Sequence, residues 1–329
     1  MKQLDISQNK SVQMPAQGER LQPHGKKTFG QRLGKSFKRY FWLYMFILPM
    51  LVWYITFHYA PMGGIIIAFK RYNGVKSITD SPWVGLKWFI KFFKSPYFWR
   101  LIRNTLVISL YSLATFPLPI ILALFFNELG NAKFKKLAQT VMYAPHFISV
   151  VVLVSMLQLF FSPQYGFINY IIQALGGKPV SFMISETAFP HLYVWSGLWQ
   201  TLGWNCIIYI AALSGVDPGM HEAARIDGAS RIQRILHINL PTIMPTIVIT
   251  FIMRVGTLLA VGADKVLLMR NDLNSPTAEV IATYVYNQGL VSGDYGYATA
   301  VGLFTNVVNL VLLLTVNWIS GKLSDTSLF

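Results

Sequence analysis

Charged residues and cysteine are scarce in this sequence. Only 12% of the 329 residues are charged and 53% are hydrophobic, whereas about a quarter of the residues in an ordinary soluble domain are charged. The single cysteine, Cys206, lies in an apolar stretch, so no internal disulfide can form and no redox chemistry is indicated. The composition therefore excludes an ordinary soluble domain and predicts an all-α membrane protein.

Catalytic motifs are missing as well. The sequence has no Gly-x-x-x-x-Gly-Lys-Ser/Thr phosphate loop, so we do not expect the chain to hydrolyse ATP. It has no HExxH motif and no cluster of Cys and His at the spacing of a metal site, and its six histidines are scattered. We therefore expect no enzymatic activity, no metal and no cofactor in this chain.

Long apolar stretches are what the sequence does contain. A membrane-crossing helix needs about 20 apolar residues, and the sequence predicts six such helices in a polytopic protein. Pro117 and Pro119 lie inside the second and predict a kink there. We expect a basic, polar tail over 1–40, without a removable signal peptide, and a short tail over 321–329. The predicted spans are about 41–60, 104–126, 139–161, 190–213, 241–262 and 298–319.

The excess of positive charge indicates an orientation in the membrane. The net charge is +15, but the basic residues mostly flank apolar stretches, so membrane lipid rather than nucleic acid is the expected partner. With both termini in the cytoplasm, the cytoplasmic segments contain modestly more Lys and Arg than the outer segments. The positive-inside rule therefore favours that orientation.

Segment 82–103 carries many of the outer basic residues. Trp88 and Phe92 alternate with Lys87 and Lys91, which predicts an amphipathic helix lying in the membrane interface. A seventh span is the alternative. It is disfavoured because each lysine or arginine costs about 2.5–3.5 kcal/mol at the middle of the membrane.

Segment 217–241 separates the fourth and fifth predicted spans. Asp217 can cap a helix that starts at Pro218, where the missing N–H costs nothing. Gly228 can end that helix because glycine adopts conformations that other residues resist, and Ser230 can cap a second helix. We expect a small helix–turn–helix outside the membrane.

This segment carries a spaced pattern: Glu-Ala-Ala, three residues, Gly, nine residues, then Ile-x-Leu-Pro. The pattern resembles the cytoplasmic coupling loop of permease subunits of bacterial binding-protein-dependent ABC importers. Stretches 83–106 and 295–304 resemble the corresponding parts of carbohydrate-type permeases, and the matched pieces cover most of 83–319. The residues that match the loop pattern are Glu222, Ala223, Ala224, Gly228, Ile238, Leu240 and Pro241.

The resemblance implies a permease domain over 41–320 in the inner membrane of a bacterium. It implies a heterodimer with a second homologous permease, two ATPase subunits that bind ATP and Mg, and an extracytoplasmic solute-binding protein. Alternating access would follow from ATP-driven motion of the coupling loop in a cleft of an ATPase subunit. The residues expected to make that contact are Glu222, Ala223, Ala224, Asp227, Gly228, Leu240 and Pro241.

Arg254 is the only charged residue deep inside a predicted span. A cation there is expensive unless it faces a cavity or a partner. Thr250 and Thr257 recur at helical spacing on its face, so we predict that this face lines the transport path. The alternative is that Arg254 makes an ion pair or hydrogen bonds with a neighbouring subunit.

Three kinds of side chain in other spans suit the same role. Trp199 and Gln200, with Trp195, can form a sugar-binding stripe on the fourth span, although aromatic residues near span ends commonly anchor the interface. Asn306 and Asn309 lie in the sixth span. Helix–helix hydrogen bonding is the usual role of asparagine inside a membrane, and a place on the transport path is the alternative.

The outer segment 263–297 mixes acidic and basic residues, which suits a surface that meets the implied binding protein; a solvated loop is the alternative. The long outer loops and the resemblance favour an oligo- or polysaccharide. Arg254, Lys265 and Arg270 favour an acidic one, such as alginate oligomers. A neutral sugar, a peptide or an amino acid remains open as the solute.

Two other classes of protein are the alternatives to a permease subunit. A stand-alone secondary transporter or channel predicts paired intramembrane carboxylates or an inverted repeat, but the predicted spans contain no acidic residue. A scaffold protein has no use for the costly Arg254.

Overall fold

The computed structural model describes residues 39–323. The predicted tail 1–40 lies almost entirely outside the described residues, as does most of 321–329. The chain divides into two compact units after Gly63. The prediction of an all-α protein is confirmed: the described residues form helices and turns, with one isolated bridge between Lys70 and Trp83.

In the first unit, α1 spans Phe41–Tyr54 and continues as a π turn, Ile55–Tyr59, and a single α turn, Ala60–Met62. The 3-10 segment Gly63–Phe69 contains the boundary between the units, and the second unit continues with fourteen helices in the described residues. Their bounds are α2 Lys87–Phe93, α3 Phe98–Ala114, α4 Pro117–Glu128, α5 Ala132–Tyr143, α6 Val150–Phe160, α7 Phe167–Ala174, α8 Ala188–Leu213, α9 Pro218–Ile226, α10 Arg231–Arg234, α11 Leu240–Gly256, α12 Ala263–Met269, α13 Ser275–Ala278, α14 Ile281–Tyr286 and α15 Tyr295–Leu323.

Four helical runs in the described residues are long and apolar enough to cross a membrane: Phe41–Phe69, Phe98–Glu128, Arg231–Gly256 and Tyr295–Lys322. They overlap the first, second, fifth and sixth predicted spans. Helix α8 has 26 residues and is about 39 Å long at 1.5 Å per residue. It is not among the four because its tryptophans, tyrosines and polar side chains lower its hydropathy. The number of six spans therefore stays a prediction.

The third predicted span, over 139–161, is not one continuous helix, although α5 and α6 together are long and apolar enough to form one broken span. Helices α5 and α6 meet at 97°. A 3-10 turn containing Pro145 separates them, because a proline nitrogen has no hydrogen with which to continue the helical ladder. Ser149 then caps α6 by accepting a hydrogen bond from the backbone N–H of Val152.

The helix of the fifth predicted span starts earlier than position 241. Helix α10, the π turn Ile235–Asn239 and helix α11 form one apolar run from Arg231 to Gly256. The second helix of the expected helix–turn–helix is therefore the beginning of this run rather than a separate loop helix. The π turn leads into Pro241 at the start of α11, where the missing N–H is tolerated.

The predicted interfacial helix over 82–103 is shorter in the structure than expected, and its place in the membrane interface stays a prediction. Only seven residues form α2, and a break at 94–97 precedes α3. Trp88 and Phe92 are buried in a core cluster with Ala300 and Tyr297 of α15. These two side chains therefore pack on protein, because α15 lies against them, whereas Phe93 of the same helix is half exposed.

Three apolar clusters form the core of the second unit. One joins α4, the end of α8 and the start of α11, and the second joins α2, α3, α14 and α15. The third joins α3, α6, α8, α12 and α13. Helices α3 and α8 each contribute to two of these clusters. The space between them and α11 therefore has well-packed walls.

Candidate translocation cavity and coupling segment

A cavity of about 760 Å³ lies between α3, α4, α8, α11 and the start of α12. None of its described lining residues is a carboxylate, and two are cations, Arg254 and Lys265. Hydroxyl and amide side chains supply the rest of its polarity. An uncompensated positive field in such a space attracts an anion.

Four of the predicted transport-path residues lie on the wall of this cavity: Gln200 of α8 and Thr250, Arg254 and Thr257 of α11 and its C-terminal end. The side-chain amide of Gln200 already makes one hydrogen bond within the chain, in which its Nε2 donates to the carbonyl of Ile148 at 2.6 Å. Thr250 shares a hydrogen bond of 2.9 Å with the hydroxyl of Tyr209. These two therefore also tie the wall together.

Arg254 is exposed on this wall. Within the described residues it takes part in none of the ion pairs, which lie elsewhere. Its charge is therefore available to a solute in the cavity or to a neighbouring subunit.

Lys265 is a cavity residue that sequence reasoning placed in an outer loop. It lies on the short helix α12 and is only 8% exposed. Its Nζ donates to the carbonyl of Tyr193 at 2.7 Å and lies 4.7 Å from the centre of the Tyr193 ring. Burial lowers the pKa of this ammonium to about 8.

Trp199 does not lie on the wall of the cavity. Together with Trp195 it lines a separate apolar groove of about 520 Å³ between α6 and α8. The indole Nε1 of Trp195 donates to the hydroxyl of Tyr111 at 2.6 Å. The structure therefore brings Gln200, but not Trp199, together with Arg254.

The two asparagines of α15 are also away from the cavity lining. Asn309 is buried, and its Oδ1 accepts a hydrogen bond of 3.0 Å from the backbone N–H of Leu259. This contact joins α15 to the segment after α11, which is the packing role expected of an asparagine inside a membrane rather than a place on the transport path. Asn306 lies on an exposed part of α15.

The coupling segment, defined here as residues 217–241, begins with local contacts that the sequence already indicates. Asp217 accepts a hydrogen bond of 2.9 Å from the N–H of Gly219 and caps α9. Gly228 has φ +77, and the N–H of Ala229 reaches the carbonyl of Ala224 at 2.8 Å. Ser230 then forms a reciprocal capping box with Gln233.

The seven predicted contact residues divide into two groups. Ala224 and Leu240 pack against the core cluster of α4, α8 and α11, whereas Glu222, Ala223, Asp227, Gly228 and Pro241 are exposed. Ile226 protrudes beside them with 87% of its surface exposed. The tip of the segment therefore presents an apolar side chain among small and acidic ones.

A buried ion pair supports the base of the coupling segment. A guanidinium nitrogen of Arg234 lies 3.8 Å from a carboxylate oxygen of Glu128 at the end of α4. Its Nη1 also donates to the carbonyl of Ala229 at 3.1 Å. Sequence reasoning missed this pair because the two residues are far apart in the chain and meet only through the packing of α4 on α11.

Several of the charges in 263–297 are engaged within the chain. Glu279 accepts hydrogen bonds from Arg100 at 2.7 Å and Arg270 at 3.1 Å. Lys91 pairs with Asp294 at 2.9 Å. These residues hold α2, α3 and the region around α13 to α15 together, which reduces the charge that this surface can present to a partner.

Comparison with known proteins identifies the family of this chain. Residues 115–325 match the family model described as "Binding-protein-dependent transport system inner membrane component". The chain belongs to this family. It is an inner-membrane permease component of a binding-protein-dependent transport system, and the resemblance predicted from segment 217–241 is confirmed.

The permease is similar to two curated proteins of Bacillus subtilis (strain 168). It is 42% identical to Protein LplB over 295 residues, which is 89% of this chain and 93% of LplB. It is 42% identical to the polygalacturonan/rhamnogalacturonan transport system permease protein YteP over 289 residues, which is 88% of this chain and 90% of YteP.

The fold of the permease is similar to chains of two solved structures. One is a bacterial ABC transporter involved in the import of the acidic polysaccharide alginate, with a TM-score of 0.82, 38% identity and coverage of 89% of this chain and 99% of that chain. The other is a bacterial alginate ABC transporter in complex with a periplasmic protein that binds an alginate pentasaccharide. Its TM-score is 0.83, with 38% identity and coverage of 90% and 100%.

Proposed function

We propose that the permease moves an acidic oligo- or polysaccharide, such as alginate oligomers, across the inner membrane through the cavity between α3, α8 and α11. The observation that carries this proposal is the cavity lining, which has two cations and, among the described residues, no carboxylate. The similar solved transporters import alginate, and a similar permease serves polygalacturonan. Uronate chains present a carboxylate on each sugar ring, which suits such a lining.

Energy for transport comes from elsewhere in the assembly. Residues 217–241 dock into a cleft of an ATPase subunit, which binds ATP and Mg, and the exposed Glu222, Ala223, Asp227 and Gly228 make the contact. Two such ATPase subunits, a second homologous permease and an extracytoplasmic binding protein complete the transporter. Both termini of the permease lie in the cytoplasm.

Motion of α9 reaches the cavity through α11. The coupling segment continues without interruption into the helical run that carries Thr250 and Arg254, and the Arg234–Glu128 pair links it to α4. A displacement of the segment by the ATPase subunits therefore tilts two walls of the cavity together. Alternating exposure of the cavity to the two sides of the membrane follows from this tilt.

The test is Arg254→Ala in the complete transporter reconstituted in proteoliposomes. A hydrogen bond to a charged group is worth about 1.5–3 kcal/mol, so we expect uptake of an acidic oligosaccharide and substrate-stimulated ATPase activity to fall at least about tenfold. Arg254→Lys keeps the charge and should retain part of the activity.

Lys76→Ala, which removes an exposed cation from the region before α2, is the matched control and should leave uptake unchanged. Copurification of all subunits verifies assembly. Failure of Arg254→Ala to assemble indicates instead that Arg254 is a contact with a neighbouring subunit. Full uptake by an assembled Arg254→Ala transporter contradicts the proposed role of the cavity.

A further inference from the structure

Lys265 is a buried cation whose position on the cavity wall is unexplained by packing alone. We propose that its ammonium binds a carboxylate of the transported saccharide inside the cavity and so selects acidic over neutral substrates. This inference rests on the proposed function. It assigns the selection of charge to a residue outside the apolar stretches from which the transport path was predicted.

The first argument is the lack of a counter-ion. Lys265 is 8% exposed, and burial of an ammonium is expensive unless an anion or several acceptors compensate for the lost water. The ion pairs of the described residues involve other cations, and the cavity lining contains no carboxylate. A carboxylate supplied by a ligand would complete this site.

The second argument is the geometry around Nζ. An ammonium has three donors, and one of them is directed at the carbonyl of Tyr193 at 2.7 Å. Gly197, one helical turn further along α8, makes room for the ammonium itself, because a Cβ there would lie 3.2 Å from Nζ. Helix α8 therefore positions the ammonium on the cavity wall through the carbonyl of Tyr193, and that bond uses one of the three donors of Nζ.

The third argument is an unsatisfied polar group elsewhere in the lining of the same cavity. Ser109 of α3 lines the cavity and is 6% exposed, and its hydroxyl has no hydrogen-bond partner among the described residues. A buried hydroxyl without a partner is uncommon. The cavity thus contains a cation without a counter-ion and a hydroxyl without a partner, a combination that suits the carboxylate and hydroxyl groups of a uronate ring.

Protonation of Lys265 gives the site a characteristic dependence on pH. The pKa of Lys265 is about 8 because burial disfavours its charged form. Tyr193 of α8 contacts it, Arg254 of α11 lines the same cavity, and Asp264 on its own helix is exposed. Binding of a carboxylate therefore requires the protonated lysine, is present below the pKa and is lost as the pH rises through it.

The experiment measures equilibrium binding to the purified complete transporter, without the binding protein, so that selection by that protein does not contribute. The probes are a uronate oligomer and the same oligomer with its carboxylates reduced to alcohols. We expect Lys265→Met to weaken binding of the uronate oligomer about tenfold or more and to change binding of the reduced oligomer less than about twofold.

Three comparisons complete the test. Lys265→Arg should keep the preference for the uronate oligomer and remove the loss of binding between about pH 7 and about pH 9, because arginine stays protonated there. Gly197→Ala crowds the ammonium and should give an intermediate loss. Lys178→Met, which removes an exposed outer cation, should have no effect.

Two results would overturn the inference. Equal weakening of both oligomers in Lys265→Met assigns the lysine a purely structural role, while the proposed function stands. A wild-type transporter that binds the uronate oligomer no better than its reduced form contradicts the preference itself, and with it the acidic substrate of the proposed function.

Discussion

Asn169 and Asn239 are both fully buried, yet they have opposite environments. Asn169 is 1% exposed, and its amide bonds to the backbone of Phe161, Ser162 and Val180. Asn239 is 0% exposed, and neither atom of its amide has a partner among the described residues. An unpartnered buried polar group costs about 1–3 kcal/mol, so the two residues should respond oppositely to the same substitution.

We expect Asn239→Leu to leave the thermal stability of the purified transporter unchanged or to raise it, because leucine of similar size removes an unsatisfied amide. Asn169→Leu is the matched control and should lower stability by about 1–3 kcal/mol, since it leaves buried carbonyls without their donor. Thermal unfolding in detergent measures both. Marked destabilisation by Asn239→Leu would indicate that this amide has a partner in the assembled transporter.

Arg254 and Lys265 illustrate what could be predicted at this scale. Arg254 was identified from the sequence because it lies within a long apolar stretch, so its location follows from its neighbours in the chain. The burial of Lys265 depends on α12 folding back against α8, and no local pattern indicates that contact. The predicted role of Arg254 nevertheless stays a prediction until a substitution tests it.

The starts and ends of helices follow largely from local sequence. Asp217 and Ser230 cap the helices that their positions indicated. The bend after α5 and the shortness of α2 were not predicted. Pro145 is evident in the sequence, but the direction of the chain after it depends on how α6 packs against α8 and α12. From the sequence alone, the aromatic face of α2 could pack equally well against lipid.

The turn at Gly228 is the element most sensitive to substitution in the coupling segment. Its φ of +77 lies in the left-handed region, which costs other residues roughly 1–2 kcal/mol. We expect Gly228→Val to distort the tip and reduce substrate uptake per ATP hydrolysed at least severalfold. The ratio of uptake to phosphate release in proteoliposomes measures this coupling.

Two variants separate backbone strain from added bulk. Gly228→Asn should retain most of the coupling, because asparagine tolerates the left-handed region, and Gly130→Val, at a position between α4 and α5 without positive φ, should have little effect. Normal coupling in Gly228→Val argues against a mechanical role for this turn.

At the scale of the whole molecule, the exposed apolar surface is the dominant feature. Helix α1 has no buried residue, and several of its aromatic side chains are more than half exposed. The apolar runs of the second unit are also largely exposed. In the apolar 18-residue stretch of each run, at most 28% is buried. Lipid or other protein covers such surfaces, as expected of an inner-membrane component.

The orientation of the permease can be tested with single cysteines. Cys206 is buried, so Cys206→Ala should give a cysteine-free background with the fold intact. In that background, Ile226→Cys and Leu273→Cys introduce thiols at positions that are 87% and 63% exposed. We expect a membrane-impermeant maleimide to label Leu273→Cys from the outer side of spheroplasts and Ile226→Cys only in inside-out vesicles.

The ATPase subunits provide the second half of this test. Because Ile226 protrudes from the tip of the coupling segment, labelling of Ile226→Cys should be rapid without the ATPase subunits and at least several-fold slower when they are bound. Ser230→Cys, at the base of the same exposed segment, reports whether protection spreads beyond the tip. Labelling of Ile226→Cys from the outer side reverses the orientation, and equal rates with and without the ATPase subunits would mean that these subunits do not cover the tip of the coupling segment.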